Sequence, residues 1–587
     1  MAKTSVAIFG GGMAGLAAAH ELIHRGFAVD VYESESRYGG KSASQPDNAL
    51  PAPTNGRKAL RGEHGFRFFP GFYHNVIATL SEIPRPGGGM VADDLVSSTK
   101  AAMVWDGNFY PFDRQVGAPP WDVLERVRAI VGGLGFTSVD LARMAWFRLK
   151  YLTSGPSRRL SYDDIAWKDF IELDSPHYSD GFRDFERSIP RTMSAMAAES
   201  TSAMIVGNIG MQFGLGYARP GNKEDRLLAG PTDYRWIEPW VAYLKGLGVT
   251  FHPNAPVDQL HCSPGPPPRI THATVNVSNV PTQVNADYYI AAVPLKEAQD
   301  LIAKEPALSA ADPELAAVPT IDLGTSTSWM AGIQFFLRND VPMVDGHVFY
   351  PKSAWALTSV SQAQFWKPDG VPMDQVYGDG TVRGVISAII SDWSTPSPVT
   401  KMAARDYKDT EIAAFKKEVR RQLREGLPAA FDLSPANAPA AWVHLDDRIT
   451  LATSTTKSQN DSPLLIHPKG GYATRPHASG AVENLFLAAD YVRTNTGLAT
   501  MEGANEAARR AVNALLDRTG GLHVKCPVWD LQEDPFFAPA REMDEIRFAR
   551  QQDHVMDSCP IRFLKDTGLI DVAQELFKVP AAILLPG

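Results

Sequence analysis

Residues 4–41 read TSVAIFGGGMAGLAAAHELIHRGFAVDVYESESRYGGK, and this stretch decides the fold. Val6 to Phe9 form a short apolar run, as in a strand that is buried on both faces. Gly10, Gly12 and Gly15 follow in the pattern G-x-G-x-x-G and open a helical sequence. The first glycine permits a tight turn, the second lets the backbone approach a pyrophosphate, and the third lets the helix pack closely on the strand. Because a helix N-terminus also offers free N–H groups to phosphates, the stretch predicts a dinucleotide-binding unit.

The end of the second strand indicates which dinucleotide is bound. Ala28 to Tyr32 is predicted to form that strand, and Glu33 ends it. An acid at this position binds ribose hydroxyls, which favours FAD or NAD over NADP. A lone glycine motif is a weak signal because glycine turns are common. Here the strand, the helix, the second strand and the acid occur in order within one unit, which makes the prediction specific.

The residues after Glu33 carry a first family resemblance. Arg37, Gly39, Gly40 and Lys41 complete the pattern E-S-x-S-R-x-G-G-K, which resembles the second signature of the glutathione-reductase-like FAD proteins, especially the branch of amine oxidases and carotenoid desaturases. The resemblance implies FAD, with backbone passing close to its diphosphate and with the two cations facing its charge. The cofactor-binding residues expected in this unit are Gly10, Gly12, Ala14, Gly15, Glu33, Arg37, Gly40 and Lys41.

A second block, from Gly62 to Pro84, is dense in aromatic residues. An aromatic core and a buried turn beside a flat ligand are both consistent with this composition. Its pattern E-x-G-x-x-x-F-x-G-x-Y-x-N resembles plant- and cyanobacterial-type phytoene and ζ-carotene desaturases, although Arg67 stands where those proteins usually carry His, and Pro70 also departs from the pattern. The resemblance implies that this segment lines the isoalloxazine, through Gly65, Phe66 and Arg67. His64 and Arg67 are candidate catalytic residues, and a purely structural role is the alternative for each.

Two further blocks extend the resemblance along the chain. Residues 228–260 predict a helix from about Asp233 to Leu247 and then a strand, after which Val257 corresponds to the segment that crosses the adenine. Residues 482–517 resemble the C-terminal signature of the desaturases, which implies that Asp490 approaches the ribityl chain and pyrophosphate. The helix N-terminus at Thr500, Met501 and Glu502 is then expected to point at the flavin, where its dipole stabilises negative charge.

These blocks together predict an α/β and α+β fold. We expect a glutathione-reductase-like Rossmann FAD domain that is interleaved with a mixed-sheet substrate domain and a helical subdomain. The predicted segments are 1–90, 226–300 and 471–520 for the FAD domain, 91–225 for a helical and substrate part, 301–470 for the substrate domain, and 521–587 for a C-terminal extension of unknown role.

Composition excludes several classes of protein. The net charge of −9 argues against a nucleic-acid binder, which would normally be basic. Cys262, Cys526 and Cys559 show no metal-ligand spacing, so no metal site is expected, and their odd number favours reduced thiols in the cytoplasm. The first strand begins close to Met1, which leaves no room for a leader, and no apolar run reaches the about 18 residues needed to span a bilayer.

The resemblance implies an FAD-dependent desaturase or dehydrogenase that removes hydride from a long apolar substrate, such as a carotenoid or another isoprenoid. The alternatives are a flavin amine oxidase, a flavin-dependent isomerase or dehydroxylase of an isoprenoid lipid, and a lipid carrier whose FAD is structural. FAD is expected to be non-covalent because no cysteine lies in the Asp490 to Glu502 signature. The electron acceptor, a quinone or oxygen, and the oligomeric state stay open. A hydrocarbon substrate would not demand a strong general base.

One stretch combines large aromatic residues with a local excess of cations. The residues concerned are Trp146, Phe147 and Tyr151 with Arg143, Arg148, Lys150, Arg158 and Arg159. A solvated helix face over a core and a patch that rests on lipid headgroups both fit this composition. The desaturase resemblance favours the lipid patch and hence a peripheral membrane protein.

Overall fold

A parallel five-stranded sheet carries the dinucleotide-binding unit. In the computed structural model, residues 3–114, 132–218, 225–521 and 523–558 are described. All neighbouring strands of the sheet are parallel, and their order is Thr250–His252, Ala28–Tyr32, Ser5–Phe9, Tyr288–Ala291 and Leu485–Leu487. Because these strands come from three separate parts of the chain, the domain is interrupted and resumed. The predicted fold class is confirmed.

Helices and a second sheet pack around this sheet, whose strands are largely buried, as is usual for a parallel sheet. The helix Met13–Ile23 packs against Met501–Arg518, and further helices lie at Glu238–Leu247 and Leu295–Lys304. A Cβ on Gly15 would lie 1.9 Å from the carbonyl oxygen of Gly10, so only glycine allows the first helix to approach its strand this closely. An antiparallel sheet of Val257–Ser263, Arg269–Val277 and Val280–Val284 adjoins the FAD domain.

A mixed seven-stranded sheet forms the floor of the predicted substrate domain. Its strands, in spatial order, are Ala440–Leu445, Ala331–Leu337, Gly384–Ile390, Leu357–Ser361, Gly346–Tyr350, Lys100–Trp105 and Asn108–Asp113. The last two form the hairpin that Asp106-Gly107 predicts, and both turn residues have positive φ, 46° and 74°. The charged helix Ile412–Arg424 packs on one face of this sheet through Phe415, Val419 and Leu423.

The remaining regular elements are short or belong to the helical subdomain. Helices of that subdomain are Ser138–Thr153, Pro156–Ser161, Trp167–Phe170, Asp180–Ser194 and Ala203–Ala218, and Ala538–Ala549 packs on the first two. Other α-helices are Asn75–Leu80, Pro306–Ala311, Pro313–Ala317, Leu323–Ser326 and Met373–Val376. Short strands are Ser44–Gln45, Gly62–Glu63, Phe68–Phe69, Leu95–Ser97, Arg226–Leu228, Thr327–Ser328, Ile449–Thr450, Gln459–Asn460 and Leu464–Leu465.

The predicted lipid-contact stretch lies in the core of the helical subdomain. Trp146, Phe147 and Tyr151 are each 3% exposed. Arg158 donates from Nε to both carboxylate oxygens of Asp544, at 2.9 Å each. The other cations also face acids, in the pairs Arg143 with Glu172, Arg148 with Glu186, Lys150 with Asp557, and Arg159 with Glu533.

The prediction of an exposed patch is therefore wrong. Arginine is seldom buried unless it is paired, and here the acids of the C-terminal extension supply most of the pairing. Residues 523–558, whose role the sequence left open, cover this part of the helical subdomain. Residues 559–587, including Cys559, lie outside the described residues. Within the described ranges, no helix is both long and apolar enough to cross a bilayer.

Candidate functional site

A cavity of about 570 Å³ runs along the carboxyl edge of the parallel sheet. Ligands bind at this edge in doubly wound folds, where strand ends and helix N-termini converge. Predicted cofactor-binding or catalytic residues that line it are Gly10, Gly12, Ala14, Glu33, Arg37, Gly40, Lys41, His64, Arg67, Val257, Asp490, Thr500 and Met501. The structure thus gathers into one cavity residues from every block that the sequence singled out.

Two glycine segments meet in the middle of the cavity. Gly10 has a φ of +103°, and a Cβ there would lie 2.3 Å from the carbonyl oxygen of Ala292. Gly12 pairs with Gly39. A Cβ added to Gly12 would lie 3.8 Å from its nearest atom, the Cα of Gly40. The open side of Gly12 faces the cavity, so a side chain there would fill space that a diphosphate needs. This cradle fits a dinucleotide.

Glu33 is fixed at one end of the cavity, beside Val257. Its Oε2 accepts a hydrogen bond from the Gly11 amide at 2.7 Å, and its Oε1 accepts from Ser34 Oγ and the Glu35 amide, each at 2.9 Å. These three donors hold the carboxylate where a ribose can reach it. The geometry fits the ribose-binding role predicted for this acid.

The two cations of the E-S-x-S-R-x-G-G-K signature line the cavity but are also held by protein groups. Arg37 donates to Ser44 O at 3.1 Å and to Asp447 Oδ2 at 3.0 Å. Lys41 donates to Pro463 O at 2.7 Å. Both charges are therefore positioned before any ligand arrives, which reduces the entropy lost on binding.

His64 and Arg67 line another part of the cavity, which we refer to as the flavin end because the desaturase resemblance implies that this segment lines the isoalloxazine. His64 Nδ1 lies 2.6 Å from Asp446 Oδ2. Arg67 donates to the carbonyl oxygen of Lys41 at 3.0 Å, and its guanidinium lies 3.6 Å from Glu63 Oε2. Burial lowers the pKa of Arg67, and the charges of Glu63, Asp233 and Asp446 oppose that effect. Its Nε has no hydrogen-bond partner, so a buried donor is left for a ligand.

Buried acids behind Arg67 were not recognised from the sequence. Glu63 accepts from Ser44 Oγ at 2.8 Å, from the Thr232 amide at 2.8 Å and from Thr232 Oγ1 at 2.9 Å. Asp233 begins a π-helix, Asp233–Ile237, and accepts from the Ser44 amide at 2.7 Å. Burial and, less strongly, the charge of Glu63 raise the pKa of Asp233 to about 7. The only sequence signal for this cluster was Glu63, the first residue of the pattern E-x-G-x-x-x-F in the aromatic block.

Four predicted cofactor residues do not line the cavity. Gly15 packs against Gly10, Gly65 packs on the strand that carries Ile389, and Phe66 packs among Leu227, Val360 and Phe365. Glu502 is turned away, since its carboxylate accepts from the amides of His74, Asn75 and Val76 and from Asn75 Nδ2. It caps the helix Asn75–Leu80, while Thr500 caps its own helix by accepting from the Gly503 amide at 3.1 Å.

One cluster of side chains outside the cavity consists of residue types that can bind a metal ion. His20, His24 and Glu82 bring their ligand atoms together at the surface. Trp240 Nε1 donates to His20 Nδ1 at 3.1 Å, so the ring proton resides on Nε2, which donates to Glu82 at 2.9 Å. His20 therefore has no lone pair to offer a cation, and Trp240, His20 and Glu82 form a hydrogen-bond chain.

Comparisons with known proteins agree with this geometry. The family model for flavin containing amine oxidoreductases matches residues 13–516. The carotenoid phi-ring synthase of Streptomyces griseus is 26% identical over 535 residues, which cover 88% of each chain. The zeta-carotene desaturase of Solanum lycopersicum is 37% identical over 182 residues, which cover 31% of this chain and 28% of that protein.

Solved structures share the fold. Putrescine oxidase bound to putrescine matches with a TM-score of 0.54 and 15% identity, over 88% of this chain and 99% of that one. Cyclohexylamine oxidase from Brevibacterium oxydans IH-35A matches with a TM-score of 0.51 and 14% identity, over 88% of this chain and 100% of that one. At such identities the likeness concerns the fold alone. The family match confirms the predicted resemblance and makes the protein a flavin-dependent oxidoreductase: the chain belongs to the flavin containing amine oxidoreductase family.

Proposed function

We propose that the protein is an FAD-dependent desaturase that removes two hydrogens from a long, apolar, carotenoid-like substrate. The observation that carries the proposal is the similarity to a carotenoid phi-ring synthase across 88% of both chains, together with a cavity that fits a dinucleotide. We further propose that FAD binds without a covalent link. Glu33 and Val257 would hold its adenosine end, Gly12 and Gly40 its diphosphate, and Arg67 and the Thr500 helix start its ring.

FAD, when bound, supplies a hydride acceptor. The protein's own residues do the rest. Arg67 places a buried positive charge at the flavin end, where it stabilises negative charge that develops during hydride removal. The N-terminus of the Met501–Arg518 helix adds a positive dipole end on the cavity wall. Phe66 and the apolar residues packed around it keep water from the face of the seven-stranded sheet beside this end.

The test is reduction of the bound flavin by substrate without oxygen. Holoenzyme is mixed anaerobically with ζ-carotene or with a cyclic carotenoid in detergent micelles, and flavin absorbance near about 450 nm is followed. We expect bleaching by at least one carotenoid and no bleaching by putrescine or cyclohexylamine. Bleaching by an amine, with hydrogen peroxide formed in air, would assign the protein to the amine oxidases instead. Reoxidation by a quinone or by oxygen then identifies the electron acceptor.

The covalent state of the flavin is tested separately. Trichloroacetic acid should release all the flavin into the supernatant, because the signature from Asp490 to Glu502 contains no cysteine that could form a thioether. Yellow colour that stays in the protein pellet would contradict this proposal.

We also propose that the protein touches a lipid surface, since a long apolar substrate is nearly insoluble in water. A different surface from the one predicted supports this proposal. Phe536, Met543, Ile546 and Leu160 are 74%, 58%, 55% and 52% exposed, on the C-terminal segment and the helix against which it packs. Large exposed apolar residues of this kind favour insertion at the lipid interface.

Sedimentation with liposomes tests this surface. Met543→Glu with Ile546→Glu should release the protein from vesicles while FAD content stays unchanged. Val280→Glu is the matched control, because Val280 is 61% exposed and lies on the strand Val280–Val284, away from this helix in the chain. Equal loss of binding in both variants, or no binding by the wild type, would refute the proposal.

A further inference from the structure

Desaturation cannot be completed by hydride removal alone. If the proposed function holds, one hydrogen leaves a carbon with its electron pair, and FAD, when bound, would supply the acceptor for this hydride. The hydrogen on the neighbouring carbon must then leave as a proton, so that its bonding electrons can form the new C=C bond. That proton needs an acceptor close to the hydride acceptor.

Few groups at the flavin end can accept a proton. Lys41 is engaged as a donor to Pro463 O, and the guanidinium groups of Arg67 and Arg448 have no lone pair to offer. Asp461 is exposed, and an exposed carboxylate is a weak base. Glu35 also lines the cavity, but its carboxylate is paired with Arg448 at 2.5 Å and with Arg37 at 3.3 Å. Among the described residues that line the cavity, His64 is the only histidine.

The Asp446 carboxylate lies against the His64 ring. Its Oδ2 lies 2.6 Å from His64 Nδ1, and its Oδ1 accepts from Gln45 Nε2 at 2.6 Å and from the Arg448 amide at 3.2 Å. Burial alone would raise the pKa of Asp446, but its contacts with His64, Gln45 and Arg448 hold it below its usual value. A charged carboxylate beside Nδ1 favours the tautomer with the proton on Nδ1. Nε2 then keeps its lone pair, and 18% of the side chain is accessible.

A second layer of contacts holds Asp446 in place. His444 Nε2 donates to Gln45 Oε1 at 2.8 Å, and His444 Nδ1 lies 2.9 Å from Asp47 Oδ2. With its oxygen taken, Gln45 must present its amide nitrogen to Asp446. A Cβ on Gly62 would lie 2.2 Å from His444 Nε2, so the glycine is what admits the imidazole. The arrangement is built around Asp446 from three separate parts of the chain.

We propose that His64 is the catalytic base that takes the substrate proton, and that Asp446 is its positioning residue. The Nε2–H bond forms as the C–H bond breaks, and the C–H electron pair becomes the second bond of the alkene. FAD, when bound, would supply the acceptor for the hydride of the adjacent carbon. The charged groups around the imidazole are Asp446 at 2.6 Å and, on its own segment, Glu63 and Arg67. Arg67 stabilises the developing negative charge and His64 accepts the proton, so these two side chains have separate roles.

The first test compares full-length holoenzymes in anaerobic mixing with ζ-carotene micelles. In His64→Ala the rate of flavin reduction should fall about 10²- to 10⁴-fold, the range for loss of a general base. FAD content and the flavin midpoint potential should not change, and added imidazole should restore part of the rate. His477→Ala is the matched control, because His477 Nδ1 lies 2.7 Å from Glu314 at the surface and does not line the cavity. An unchanged rate in His64→Ala would overturn the proposal.

The second test reads the tautomer and does not depend on turnover. In ¹⁵N-histidine-labelled holoenzyme, the signal that disappears in His64→Ala should show the proton on Nδ1. In Asp446→Asn, Oδ1 stays committed to Gln45 and Arg448, so the amide nitrogen faces His64 and the proton should move to Nε2. A proton on Nε2 in the wild type would overturn the proposal. If no carotenoid bleaches the wild-type flavin, the proposed function is wrong. The NMR measurement of which His64 nitrogen carries the proton still tests whether Asp446 positions the ring.

Discussion

Replacing Glu33 by alanine should weaken FAD binding strongly. The carboxylate is held by Gly11, Ser34 and Glu35 at the cavity edge, so it is already oriented for a ribose before FAD binds. A hydrogen bond to a charged group contributes about 1.5–3 kcal/mol. Its loss should raise the Kd for FAD by roughly 10- to 150-fold.

Glutamine should not rescue this position. All three protein groups around the carboxylate are donors, so the amide NH₂ of Glu33→Gln would face another donor on one side or the other. Both variants are therefore expected to bind FAD weakly. Deflavinated protein is titrated with FAD by calorimetry, and the melting temperature of the apoprotein separates lost affinity from lost stability.

Asp30→Asn is the matched control. Asp30 lies on the strand that precedes Glu33 and contacts His252 at 2.8 Å, but it does not line the cavity. Its substitution should leave the Kd unchanged. A Kd within twofold of wild type in Glu33→Ala, or an equal loss in Asp30→Asn, would refute the assignment of Glu33 to the ribose.

Other predictions concern packing, pH and the C-terminal segment. Gly15→Ala should abolish FAD binding or folding, because the added Cβ would lie 1.9 Å from a backbone oxygen. Gly246→Ala is the control: an added Cβ there meets nothing within 4 Å, so this variant should retain FAD after gel filtration. The pKa of Asp233 is raised from 3.8 to about 7. Between about pH 4 and 7 the folded protein therefore keeps a proton on Asp233 that the unfolded chain has lost, and the contribution of this group to stability falls as the pH rises. Asp233→Asn should therefore stabilise the protein at pH 8 relative to wild type but not at pH 4, and a pH-independent change in melting temperature would contradict this. Asp544→Ala leaves Arg158 buried without its partner and should cost about 3–5 kcal/mol of unfolding free energy with flavin content intact; denaturant midpoints within error of wild type would contradict it.

The nucleotide-binding unit could be predicted because its signals are local. The strand Ala28–Tyr32 and the turn at Asp106-Gly107 were predicted with the bounds that the structure shows. Each depends on sterics within a few residues, such as the positive φ that Gly10 requires. The helix predicted from Asp233 begins instead with a π-turn, Asp233–Ile237, and becomes α-helical at Glu238. Periodicity cannot distinguish these two backbone forms over five residues.

The helix Ser138–Thr153 shows the limit of local patterns. Its aromatic and cationic residues suit a lipid surface and a paired interior equally well, because charge and size do not reveal what covers a helix face. Asp544 reaches Arg158 from 386 residues away in the chain, and no spacing rule connects the two. Of the two interpretations of this stretch, the lipid patch favoured by the resemblance is therefore wrong, whereas the alternative of a helix over a core fits the buried aromatic residues.

By itself, the sequence determined the family, the cofactor class and the residues that line the cavity along Gly10 to Lys41, because turns, helix starts and strand ends are set by neighbouring residues. Only the tertiary structure decided what the charged side chains do. Glu502 caps a distant helix, Arg158 is buried against Asp544, and Asp446 meets His64 from a distant part of the chain. The roles of such groups depend on desolvation and on partners far away in the chain, and those exist only once the fold brings them together.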